Sequence, residues 1–161
     1  MPRSWPLLLA LSTITVVACN PFRHADPVQV STKDEALNSR WHANLASPAD
    51  LAGAVQMNGS ASMAPAGSRG TTTVLLDLAN ATPGGQHPWA LHRGQCGSDQ
   101  GLIGSAGAYP VAEVGRDGHA TSSATLPIES PTSGNYFVTV AASAANEAVV
   151  VACGNLAPPT L

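Results

Sequence analysis

Turn signals recur along this chain at short, regular spacing, and they leave room for little besides short strands. Ala66-Gly67-Ser68-Arg69-Gly70, Pro83-Gly84-Gly85, Arg116-Asp117-Gly118 and Thr132-Ser133-Gly134 each combine residues that favour tight turns. Between them lie runs rich in Val, Leu, Thr and Ala, such as TTTVLLDLAN at 71–80. Strands are expected over residues 41–46, 53–63, 71–80, 87–93, 109–114, 119–126, 135–141 and 147–153. Asp117-Gly118 offers the positive φ of a hairpin joining two of them. Charged residues make up only 11% of the 161, too few for long helices laced with ion pairs, and no stretch shows convincing helical periodicity. The expected fold is therefore all-β, an antiparallel sandwich or barrel of about eight strands.

Alternation assigns faces within the strands. In HPWALHR, Trp89 and Leu91 share the side expected to face the core, while Pro88, Ala90 and His92 share the other. His87 is on the Trp89 side at the strand's entry, so the two histidines point to opposite faces and are badly placed to chelate one ion. In NYFVTVAA, Tyr136, Val138 and Val140 take one face, and Phe137, Thr139 and Ala141 take the other.

The first eighteen residues read as a targeting segment rather than as fold. Met1-Pro2-Arg3-Ser4 carries one positive charge, and the apolar run from Trp5 to Val17 is short for a permanent membrane helix. The run ends in Val16-Val17-Ala18-Cys19, which resembles a bacterial lipoprotein signal, with Cys19 lipidated and made the new N-terminus. The competing reading is an ordinary secretory signal with a chance cysteine at its boundary. Asn20 after the cysteine, in place of an aspartate, points to the outer membrane of a Gram-negative host. Residues 19–39 read as a flexible tether, 40–157 as the domain and 158–161 as a tail. His24 falls in the tether and reads as a solvated residue.

With Cys19 assigned to lipid, Cys96 and Cys153 form an even pair in an exported, oxidising setting, and a disulfide between them is expected. Two thiolates on a metal are the weaker alternative, because neither cysteine belongs to a CxxC pair. The formal net charge is −3 and no basic run tracks phosphates, so nucleic acid is not an expected partner. The expected partners are the membrane, through the anchor, and a protein or ligand of unknown kind.

An apolar-x-apolar-His strand followed by Gly94 and Cys96, then Ser105-Ala106-Gly107, and finally Val151-Ala152-Cys153-Gly154, resembles the copper/zinc superoxide dismutase family over residues 40–156. A similar arrangement is met in bacterial chordin-type domains. The resemblance implies a Greek-key β-barrel with one disulfide. It implies copper histidines at positions 90 and 92 and near 141, a bridging histidine after Ser105-Ala106-Gly107, and a superoxide-steering arginine three residues before the last cysteine. Here Ala90, Ala141, Ala108-Tyr109-Pro110 and Val150 stand in those places, and only His92 supplies a nitrogen. A redox copper needs several nitrogen ligands in fixed geometry. The expectation is a non-enzymatic, lipid-anchored envelope domain with a dismutase-like fold that acts in binding or structure. It calls for no cofactor. The alternative is a copper-binding protein or residual dismutase in the periplasm, centred on His92 and rebuilt with His42, His87 or His119. No Ser-His-Asp arrangement, phosphate loop or carboxylate pair is legible in the sequence; Glu113, Asp117 and Glu129 read as solvated strand and turn residues.

Overall fold

The computed structural model describes residues 40–51 and 53–160. Cys19 and the segments 1–18 and 20–39, with the signal, lipidation and tether assignments, lie outside the described residues. Ten strands appear in chain order: β1 (Trp41–Ala46), β2 (Asn58–Pro65), β3 (Thr72–Ala79), β4 (Gln86–His87), β5 (Trp89–Gln95), β6 (Ser98–Leu102), β7 (Ala112–Glu113), β8 (Ala120–Leu126), β9 (Tyr136–Ala141) and β10 (Val150–Asn155). Two single-turn 3-10 helices, Ala49–Leu51 and Ala106–Ala108, are the helical elements among the described residues, so no described helix is long and apolar enough to cross a membrane.

Eight strands form one antiparallel sheet in the order β6-β5-β9-β10-β1-β2-β3-β8, which curls into a half-barrel. The last strand returns beside the first, so β10 lies between β9 and β1 and ties the chain's two ends into one sheet. Period-two patterning decides which side of the curled sheet becomes the inside. Trp41, Ala43 and Leu45 on β1, Val74, Leu76 and Leu78 on β3, Trp89 and Leu91 on β5, and Val138 and Val140 on β9 all turn into one concave core. Two polar tips inside it are paired. The Trp41 indole donates to the Pro131 carbonyl at 2.9 Å, and the Thr72 hydroxyl to that of Ile128 at 2.9 Å.

The all-β antiparallel architecture and the Cys96–Cys153 disulfide stand as the sequence leads one to expect. The membership of the sheet differs. Ser98–Leu102 belongs to the Gly/Ser-rich stretch that reads as loop, yet forms edge strand β6, with all five residues exposed. An exposed edge strand needs no apolar alternation, so the pattern carries no sign of it. The expected strand over 109–114 shrinks to Ala112–Glu113, preceded by Pro110 and followed by Gly115. This β7 pairs with β4 in a separate ribbon, while β8 pairs with β3. The Asp117-Gly118 turn exists, with Gly118 at φ +78° and its N–H on the Gly115 carbonyl at 3.1 Å, but it joins two strands that are not ladder partners. The second strand begins at Asn58 rather than 53, and the last occupies Val150–Asn155 rather than 147–153.

Candidate functional site

The outward face of β5 and β9 is not bare. The β5–β6 hairpin folds along its edge, and Phe137, expected to face away from the core, is buried there along with Ala141. His92 is partly sheltered here, its side chain 16% exposed, with its ring 5.2 Å from that of Phe137. Thr139 is paired with Ala90 on β5 and with Cys153 on β10. Ala90, His92, Thr139 and Ala141 consequently line one cavity of about 320 Å³, with Leu102, Tyr109 and Val150 among its walls.

Both imidazole nitrogens of His92 face partners. Nε2 is 3.2 Å from the Thr139 hydroxyl, and Nδ1 is 3.0 Å from Asp99 Oδ2. The carboxylate is close enough for an ion pair but off the N–H axis, so Nδ1 makes no aligned hydrogen bond. Asp99 is held by its own backbone, its Oδ1 accepting the Gly101 N–H at 2.7 Å. That hydrogen bond, opposed by a little desolvation and assisted by the nearby imidazole, lowers the carboxyl's pKa below its ordinary value of 3.8. Asp99 is therefore ionised at neutral pH. A carboxylate can only accept, which favours the Nδ1–H tautomer and leaves Nε2 to accept from the Thr139 O–H.

A larger groove of about 950 Å³ continues across β9, β10 and β1, sharing Asp99, Thr139 and Val150 with the first cavity. Phe137, Leu51 and Val149 give it apolar wall, and Asn44 and Asn155 give it amide. Its charged lining residues are Asp50 and Asp99, and Glu147 lines the adjoining cavity; no lysine or arginine lines either. The combined surface suits a neutral or cationic ligand and disfavours an anion. The disulfide forms part of the groove's wall, joining the β5–β6 turn to β10 with a Cα–Cα distance of 6.0 Å. Beside it, the Asn155 side chain accepts the Cys96 N–H at 2.8 Å.

The other described histidines do not line this site. His87 is buried, against the expectation of a doubtful position at the strand entry, because the β4–β7 ribbon extends the structure beyond β5. Its Nδ1 donates to the Ala141 carbonyl at 3.0 Å. His42 is half-buried on β1, and His119 is exposed beside its turn. Among the described residues, no group of three His, Cys, Asp or Glu side chains is gathered as a metal could require. Comparison with protein-family models, with curated proteins and with solved structures finds no match.

Of the candidates read from sequence, the structure unites Cys96 with Cys153 and places His92 in a cavity with Ala90 and Ala141. Sequence reasoning missed Asp99; it placed Thr139 on the correct face, with Phe137 and Ala141, but not its contact with His92. Asp99 approaches His92 only because β6 folds back on β5, with a register shift between His92 and Gly94. The Cys96-Gly97 turn before Ser98 was the one available hint of that hairpin.

Proposed function

We propose that this chain is a lipid-anchored cell-envelope protein, carried on Cys19 at the outer membrane, whose β-domain works by binding and not as a superoxide dismutase. The observation that carries the binding role is the groove over β9, β10 and β1, with carboxylates and no basic side chain along it. The anchor rests on the Val16-Val17-Ala18-Cys19 signal. The resemblance to copper/zinc superoxide dismutases and chordin-type domains supplies the kinship, and the replacement of ligand positions by Ala90, Ala141 and Val150 argues against dismutation. A neutral or cationic envelope component is the ligand class that the lining favours.

The second reading is a copper protein centred on His92, favoured by that histidine's place at a cavity wall. Copper would have to displace Asp99 or Thr139 from the imidazole. Metabolic labelling with an alkyne fatty acid tests the anchor: incorporation is expected in the wild type and lost in Cys19→Ser. Copper titration of the purified chain tests the rest. Weak uptake and no superoxide turnover are expected, whereas tight one-to-one binding abolished by His92→Ala would establish the copper reading.

A further inference from the structure

Asp99, His92 and Thr139 connect in series as carboxylate, imidazole and hydroxyl, an arrangement that a ligand groove alone does not call for. The contacts are 3.0 Å from Asp99 Oδ2 to His92 Nδ1 and 3.2 Å from His92 Nε2 to Thr139 Oγ1. This is the connectivity by which an imidazole removes a hydroxyl proton while a carboxylate holds its tautomer. Such contacts are often long or poorly aligned before substrate binds, and the off-axis Asp99 contact is of that kind. On one side of the hydroxyl the neighbours are small: Ala90 is the cross-strand partner of Thr139 on β5 and Ala141 follows on the same face, while Phe137 and Cys153 bound the other side. The space they leave is walled by Leu102, Tyr109 and Val150.

The geometry points to Thr139 as a nucleophile that takes a short, uncharged acyl group from an ester, with His92 as general base and Asp99 as its positioning residue. Thr139 Oγ1 attacks the ester carbonyl carbon as its proton passes to His92 Nε2. The tetrahedral adduct collapses by breaking the bond to the leaving oxygen, which takes that proton and departs as an alcohol or phenol. Acyl-Thr139 remains. Water then attacks the same carbon, giving its proton to His92, and the bond to Oγ1 breaks as the proton returns to Thr139. A carboxylic acid is released. Thr139 sits on a central strand paired on both sides, so its own backbone N–H serves the ladder and not a developing oxyanion. General-base assistance supplies about 10²–10⁴-fold on its own. With a good leaving group such as a phenolate, acylation is the easier step, since deacylation must expel the poorer Thr139 alkoxide, so the chain should acylate faster than it deacylates.

The test uses the purified full chain and 4-nitrophenyl acetate with EDTA present, so that metal-bound hydroxide makes no contribution. The expected result is a burst of nitrophenolate of about one equivalent, slow turnover, and an acetyl adduct on Thr139 in peptide mass spectra. Thr139→Val should abolish burst and adduct while retaining the wild-type melting profile, and Thr139→Ser should restore them. His92→Ala should slow acylation at least about tenfold, and Asp99→Asn should slow it and alter its pH profile. Cys19→Ser should react as the wild type does, so failure of the anchor leaves this inference standing. Acetylation on His92 itself, or a burst unchanged in Thr139→Val, overturns it, as does the absence of any burst from the folded wild type.

Discussion

The indole N–H of Trp89 on β5 lies 3.0 Å from the hydroxyl of Ser122 on β8, a strand at the far end of the same sheet. The same N–H reaches the Pro110 carbonyl at 2.7 Å, and Ser122 donates to that carbonyl at 2.9 Å. One side chain thus closes the half-barrel where no ladder does. Trp89→Phe keeps an aromatic ring against Tyr109, which meets the indole edge-on at a centroid distance of 5.2 Å, but removes the donor. It should cost about 1–3 kcal/mol in denaturant unfolding, and Ser122→Ala, which leaves the indole on Pro110, about 0.5–1.5 kcal/mol.

The Cys96–Cys153 bridge closes a sequence separation of 57 residues. By chain entropy such a loop is worth about 4 kcal/mol, a large part of the stability of a domain this size. Reducing agent, or the paired change of Cys96 and Cys153 to serine, should lower the unfolding midpoint by a corresponding amount. A midpoint indifferent to reductant would mean that the groove wall is held without the bridge.

Gly154, in the Val151-Ala152-Cys153-Gly154 stretch, sits where β10 runs against β1. A Cβ there would lie 2.5 Å from the Asn44 carbonyl oxygen and 3.0 Å from its carbon, both backbone atoms that cannot swing aside. Gly154→Ala should therefore part the two strands at a cost of about 1–3 kcal/mol, or more if the sheet fails to relax. Thermal unfolding of the variant checks this, and Gly67→Ala, where nothing lies near, is the control.

Burial pushes the Tyr109 phenol up to about 12, partly offset by a backbone hydrogen bond from Leu91. The unfolded chain ionises this tyrosine near about 10, so above that pH the native state holds the proton more tightly. Its contribution is complete below about 10 and falls away as pH climbs toward 12. Tyr109→Phe, which also loses the hydrogen bond to the Ile103 carbonyl, should be less stable at neutral pH. It should show a flatter decline between pH 9 and about 12, followed by denaturant melts across that range.

The core could be read from the chain because it depends on local alternation. Trp41, Val74, Trp89 and Val138 turn inward wherever strand period and apolar patterning agree. The disulfide was equally legible, since pairing followed from the number of cysteines once Cys19 was set aside as the expected lipidation position. β6 was not, for it is an exposed edge held by ladder bonds to β5 and not by apolar burial. Nor was the ladder partner of β7, because a turn such as Asp117-Gly118 fixes a reversal of direction without fixing which strands then pair.

By itself, then, the sequence determined an all-β chain, its inward faces, its cysteine pair and the outward aspect of His92. Each depends on neighbours a few residues apart or on simple counting. Only the tertiary structure decided what His92 meets. Asp99 arrives seven positions later through a register shift, and Thr139 arrives 47 positions later through the β5–β9 ladder. Strand registers between distant segments are set by how the whole sheet closes over its core, and no local pattern encodes them.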